Sequence, residues 1–228
     1  MSQKLNLKFK RYSVFPLLLV ILFNIFAFNV TRLLTAGKTH YDLSLPIDKA
    51  LPFLPIFIFP YVIAYIQWFL NYYLIGCQER DFMMKYISAA LTAKLITAVI
   101  FIAVPTSMVR PELQVHDFTT WFTNFIFTVD SPDNLFPSIH VIAGWFSLRM
   151  SFKVSGLGKY RTPYIVWNIV MFLLILPTIL LIKQHLFLDI LGGIAVSELG
   201  MLLSTRLHFE KILNKITPIH NNSQENLN

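Results

Sequence analysis

Apolar runs of close to 20 residues recur along this chain, at about 14–29, 52–75, 86–104, 137–154, 164–181 and 186–203, each bounded by polar or charged residues. A helix rising about 1.5 Å per residue crosses roughly 30 Å of hydrocarbon in that length. Lipid offers the backbone no hydrogen-bond partner, so a spanning segment must satisfy its own N–H and C=O groups, as a helix does. Only 14% of the 228 residues are charged and 55% are hydrophobic, whereas a soluble domain carries about 25% charged residues. The predicted fold class is all-α, a polytopic integral membrane bundle of six helices forming a single domain over 1–228. Pro55 and Pro60 suggest bends in the second run, Pro105 closes the third, and Arg149 interrupts the fourth.

The net charge of +7 comes from 19 Lys and Arg against 12 Asp and Glu, with the basic residues mostly at the ends of apolar runs. That distribution fits membrane topology and anionic lipid headgroups, and it argues against nucleic acid as a partner. The basic start Lys4, Lys8, Lys10 and Arg11 precedes a first run with no small-residue cleavage pattern, so this run reads as a retained span that also targets the chain. In a six-span arrangement that start falls on one side with Arg80, Lys85, Lys153, Lys159, Arg161, Arg206, Lys211 and Lys215. Excess Lys and Arg mark the cytoplasmic side, which predicts a cell-membrane protein with both termini in the cytoplasm. The opposite side receives the 31–50 loop, the long 105–137 loop and the turn around Lys183. A single cysteine, Cys77, excludes a disulfide framework and a cysteine-rich metal site.

Three polar islands fall together on that outer side: Arg110-Pro111, Pro137-Ser138-Ile139-His140, and His185 with Asp189 four residues on. Ionisable groups at span ends are candidates for chemistry by default. On a helix, His185 and Asp189 share a face, where the carboxylate can hold one ring nitrogen and leave the other nucleophilic. Ser138 is placed to cap a helix or donate to an anion, and the first turn that follows supplies free backbone N–H groups beside His140. One imidazole can attack while the other delivers a proton to the leaving oxygen. Arg110 can fork onto two phosphoryl oxygens, and Lys183 can act as a point charge. Lys94, inside the third run, is expected to lie too deep to help and to turn toward the cytoplasmic side. Asp130 and Asp133 read as loop-organising residues, His40 and His116 have no obvious partner, and Gly192, Gly193 and Gly200 suit close helix packing. Gly156-Leu157-Gly158 is a turn between spans and no dinucleotide fingerprint. The aromatic stretch 116–128 is expected to form an interfacial, partly amphipathic helix, and 220–228 a polar disordered tail.

As an ensemble the islands resemble the type 2 phosphatidic acid phosphatase family, lipid-phosphate phosphatases related in site architecture to vanadium haloperoxidases. The family pattern is Lys-x6-Arg-Pro, then Pro-Ser-x-His or Ser-Gly-His, then Ser-Arg-x5-His-x3-Asp. Matching it here are Arg110-Pro111, Pro137-Ser138-Ile139-His140, and His185 to Asp189, over a family-like core of about 50–205. The family lysine would fall at Ala103, and its last-motif Ser-Arg at Thr178-Ile179, so two phosphate-contacting cations are missing, with Lys183 a partial answer. The resemblance implies that His185 is the nucleophile, oriented by Asp189, and that His140 is the general acid. Arg110, Ser138 and Lys183 would bind phosphate, with no metal and no cofactor required. The substrate would be a membrane lipid phosphate: phosphatidic acid, phosphatidylglycerol phosphate or polyprenyl diphosphate. The reduced motif set also resembles inositol-phosphorylceramide and sphingomyelin synthases, which makes a lipid phosphotransferase the alternative. A noncatalytic anion-binding or transport protein is the third reading.

Overall fold

The computed structural model of the chain describes Leu5 and residues 7–218, which leaves Lys4 and the 220–228 tail outside the described residues. Among the described residues there is no strand, and two isolated β-bridges, Tyr41 to Thr106 and Ser107 to Asp133, tie loops together. The helices are α1 (Val14–Thr35), α2 (Pro46–Ala50), α3 (Ile58–Gly76), α4 (Arg80–Ala103), α5 (Phe118–Val129), α6 (Ile139–Ser151), α7 (Arg161–Leu181), α8 (Phe187–Arg206) and α9 (Phe209–Ile216). Five helical stretches, Arg11–Thr35, Pro55–Gly76, Arg80–Ala103, Gly158–Leu181 and Phe187–Arg206, are long and apolar enough to cross a membrane. Their outward faces carry exposed apolar side chains such as Leu22, Phe26, Ile66, Phe69, Leu95 and Leu173. The chain is an all-α, multi-pass membrane protein.

The sixth expected span is shorter than the run that suggested it. Helix α6 has 13 residues and rises about 20 Å, less than the hydrocarbon thickness. It nevertheless runs from one end of the bundle to the other: Ser138 N–H donates to the Asp189 carbonyl (3.1 Å), and beyond its far end Ser155 N–H donates to Gln78 Oε1 (2.9 Å). Most of its side chains are buried against α4, α7 and α8, so protein rather than lipid surrounds it and the length requirement is relaxed. Arg149, which interrupts the apolar run, lies 3.5 Å from Glu198 of α8, whose carboxylate also accepts from Trp145 Nε1 (2.7 Å).

Capping chemistry sets the start of two elements. Asp117 accepts from Thr120 N–H (2.8 Å) at the head of α5, and bonds from the Thr120 backbone and the Thr119 and Thr120 hydroxyls bring its carboxyl down to about 2. The aromatic helix expected over 116–128 is therefore present, with Phe118, Trp121, Phe125 and Val129 exposed along one stripe and Thr120 and Thr123 buried on the other side. Ser138 Oγ accepts from Val141 N–H (3.3 Å) at the head of α6.

Small residues and buried amides hold the bundle together. A Cβ on Gly200 would lie 2.7 Å from the Cβ of Ala93, so α8 and α4 approach as only a glycine permits, and Ser204 donates across that seam to Ser88 (3.0 Å). Between α3 and α7, Asn168 Oδ1 accepts from Gln67 (2.8 Å) and Asn71 (3.1 Å), and Tyr164 donates to Asn71 Oδ1 (2.7 Å). Cross-helix bonds of this kind contribute on the order of 0.6 kcal/mol each in lipid.

Candidate active site

Two turns at one end of the bundle bring the site together. The turn before α6 places His140 in that helix's first turn. The turn between α7 and α8 folds back on α7, with Gln184 N–H (2.9 Å) and His185 N–H (3.1 Å) both donating to the Ile179 carbonyl. His185 thus precedes α8 and is not on it, contrary to the expected helical His-Asp face. The pairing is made through the cap instead. Asp189 stands in the first turn of α8, and its Oδ2 accepts from Leu186 N–H (2.8 Å) and contacts His185 Nδ1 at 3.2 Å. A carboxylate in that position also meets the positive end of the helix dipole. Gly193 closes the approach of α6 to α8, because a Cβ there would lie 2.8 Å from Val141 Cβ and 2.9 Å from the Ser138 carbonyl.

The two histidines touch. His140 Nδ1 lies 2.8 Å from His185 Nε2, and His140 Nε2 lies 2.8 Å from both the Tyr61 and the Tyr65 hydroxyls, themselves 3.2 Å apart. His185, His140 and Asp189 are 5%, 2% and 0% exposed, so the carboxylate and both imidazoles are buried, whereas Tyr65 at the end of the row is exposed. With Asp189 ionised it accepts from His185 Nδ1–H, which makes His185 Nε2 an acceptor and puts the shared proton on His140 Nδ1. The tyrosine hydroxyls can donate to His140 Nε2 when that ring is neutral and accept from it when it is protonated. The result is an oriented imidazole whose Nε2 lone pair faces the N–H of a second imidazole, with both protonation states of that second ring accommodated.

Arg110 reaches the same place but is already engaged. Its Nε donates to the Lys183 carbonyl (3.2 Å), Nη1 to the Asp130 carbonyl and Nη2 to Gln184 Oε1 (2.6 Å), while the guanidinium lies over the Phe127 ring at 4.4 Å. Burial lowers its pKa and the nearby Asp130 opposes that shift; burial likewise raises the Asp130 carboxyl, against the pull of His185 and Arg110. Ser138 is fully buried and serves as the α6 cap. Lys183 lies on the wall of a cavity that it shares with Arg110 and His185. Its ammonium donates to the carbonyls of Asp48 (2.9 Å) and Leu51 (2.7 Å) at the end of α2. Asp133 binds Arg32 (3.0 Å) as a loop-organising residue, and His116 contacts the Gln114 carbonyl (2.9 Å) away from the site.

Two cavities flank the histidine pair. One, of about 390 Å³, is lined by Asp48, Arg110, Lys183 and His185 at the loop end of the bundle. The other, of about 270 Å³, lies between the helices and is lined by Ile25, Tyr65, Trp68, Phe69, Lys94 and His140. His185 faces the first and His140 the second, so their hydrogen bond stands between the two spaces. A smaller crevice joins Arg110, Asp130, Gln184, His140 and His185. Gln184 is buried and its Nε2 has no partner among the described residues, an amide donor held beside the imidazoles.

Tyr61, Tyr65 and Gln184 had no role in the sequence reading. The tyrosines lie in an apolar run 79 and 75 residues from His140, and nothing local distinguishes them from interfacial aromatics. Gln184 was visible only as the residue before His185. Searched against protein-family models, curated proteins and solved structures, the chain matches none.

Proposed function

We propose that this protein is a membrane lipid-phosphate phosphatase working through a phosphohistidine on His185. The observation that carries the reading is the continuous hydrogen-bonded row Asp189, His185, His140, Tyr61 and Tyr65, its first four members buried, between a cavity at the loop end and one among the helices. At 2.8 Å between the ring nitrogens, the phosphoryl group can reach His185 Nε2 only when the two rings part. His185 Nε2 then attacks phosphorus, the bond to the lipid oxygen breaks, and protonated His140 gives that oxygen its Nδ1 proton. Neutral His140 next takes a proton from a water whose oxygen attacks phosphorus; the nitrogen–phosphorus bond breaks, its electron pair returns to His185 Nε2, and phosphate leaves with both rings restored.

Arg110 and the Gln184 amide are the nearest donors for the phosphoryl oxygens, with the first-turn N–H groups of α6 behind them. The missing family cations weaken this set, and Lys183, on the wall of the cavity it shares with Arg110 and His185, adds positive charge to it. The gathering of basic residues at the opposite end of the bundle favours an outward-facing site in a cell membrane. A lipid phosphotransferase would use the same row of residues and differ only in the acceptor.

The test is phosphate release from a panel of lipid phosphates by detergent-purified protein, with lipid products resolved in parallel. His185→Ala and His140→Ala are each expected to lose at least about 10²-fold in turnover while still inserting into membranes. More than about a tenth of the activity surviving His185→Ala rules out the covalent route. A His185-dependent new phospholipid without free phosphate replaces hydrolysis by transfer.

A further inference from the structure

Lys94 was expected to be remote from the site and to turn away from it. Instead its ammonium donates to Asn24 Oδ1 of α1 at 2.5 Å, in mid-bundle, and it lines the 270 Å³ cavity together with Tyr65 and His140. Two smaller crevices set its level on α6, one sharing Lys94 with Ile139 and Ile142, the other with Ala143, Phe146 and Ser147. That is within about one to two helical turns of His140, or roughly 5–10 Å. Helix α4 ends at Ala103 and the chain does not climb onward as helix to Arg110, so a rise of about 1.5 Å per residue over that interval overstates the depth of Lys94.

Among the described residues only one of the three ammonium donors has a protein partner, and no carboxylate pairs with it. An ammonium inside a membrane bundle is costly unless something compensates it. The remaining walls of the cavity, Ile21, Ile25, Trp68, Phe69, Tyr72, Ile139 and Ala143, are apolar or aromatic, and Ile25 and Phe69 at its edge are exposed. Helices α1 and α3 pack only lightly on each other, which leaves that edge open to the side of the bundle.

From this juxtaposition we infer a second, membrane-side anion subsite: Lys94 with Asn24 binds a retained phosphoryl group of a lipid whose outer phosphate lies between His140 and His185. The inference rests on the phosphatase reading. It narrows the substrate to lipids with two phosphoryl groups in line, the inner one remaining on the product. Charge complementarity decides for an anion over a neutral ester, and the apolar walls take the hydrocarbon. Both a polyprenyl diphosphate, with its phosphates one oxygen apart, and a phosphatidylglycerol phosphate, with them one glycerol apart, carry this chemistry.

The experiment compares the parent with Lys94→Met, which removes a half-buried charge at little cost in volume. For turnover, farnesyl diphosphate, phosphatidylglycerol phosphate and phosphatidic acid are supplied in detergent. Lys94→Met is expected to lower kcat/KM at least about tenfold for whichever two-phosphate lipid is used and to leave phosphatidic acid within about threefold. Equal effects on all three lipids, or none, overturn the subsite. For binding, native mass spectrometry of His185→Ala with and without Lys94→Met follows farnesyl phosphate, phosphatidylglycerol and uncharged diacylglycerol. Selective loss of an anionic lipid supports the subsite and identifies its source; indifference to Lys94 overturns it. Release of phosphate from no lipid would overturn the phosphatase reading alone, with the binding comparison still deciding the subsite. A thermal unfolding midpoint for Lys94→Met at or above the parent's separates loss of binding from loss of fold.

Discussion

At the scale of single residues, the informative member of the site is His140, because both its nitrogens are committed. Nδ1 faces His185, and Nε2 is shared by two tyrosine hydroxyls at equal distance. Two donors on one nitrogen are redundant, so either Tyr61→Phe or Tyr65→Phe alone is expected to lower turnover by less than about tenfold. The double replacement removes every partner of Nε2 and leaves a buried imidazole nitrogen unsatisfied, so a loss of about 10²-fold is expected, within the range for a disabled proton donor. Steady-state kinetics on the three variants checks this, and additive small effects would show that the hydroxyls do not orient the ring. The residues visible in the sequence were those with unusual chemistry for a membrane chain: the histidines, Asp189, Arg110. Lys183 met the same criterion; it lines the cavity that holds Arg110 and His185, and the two backbone carbonyls that its ammonium also binds come from α2 and its end, which its neighbours in sequence do not announce.

At the scale of elements, the separation of the two histidines is set by how closely α6 and α8 approach. Gly193 permits that contact against Val141 and the Ser138 backbone, and Gly200 permits the contact of α8 with α4 farther down. Gly193→Ala and Gly200→Ala are each expected to destabilise by about 1–3 kcal/mol through overpacking. Activity should divide them: Gly193→Ala pushes apart the turns that carry His140 and Asp189, whereas Gly200→Ala acts on a distant seam. Thermal unfolding and turnover measured on both variants check the distinction; a similar loss of turnover in both would mean that the seams act as one. The glycines were legible as packing residues because a run with small side chains at helical spacing has few other uses in lipid. Helix bounds were less legible. The apolar run that suggested a span at 137–154 forms a 13-residue helix buried within protein, and periodicity does not reveal whether a helix faces lipid or other helices.

At the scale of the molecule, hydrogen bonds sort the loops to two ends. Lys10 N–H donates to the Gly76 carbonyl, Arg80 to Asn214 and Ser155 to Gln78 at one end; Arg32 binds Asp133, and Leu54 N–H donates to the Leu181 carbonyl, at the other. Most basic residues collect at the first end, so that end is expected in the cytoplasm. In a Cys77→Ser background, Glu112→Cys should react with an impermeant maleimide on intact cells and Lys159→Cys only after lysis; the reverse pattern would put the site on the cytoplasmic face. The amino-acid sequence by itself determined the membrane class, the helices, the sorting of charge and the order of the polar islands. Lipid imposes length, apolarity and internal hydrogen bonding on each segment separately, so these properties can be read one segment at a time. Only the tertiary structure decided that two imidazoles meet at 2.8 Å, that tyrosines from α3 support one of them, that Lys183 serves a loop and that Lys94 faces a cavity. Each of these depends on where helices distant in sequence cross, and crossing is settled by side-chain volume and contact between helices, which no single segment contains.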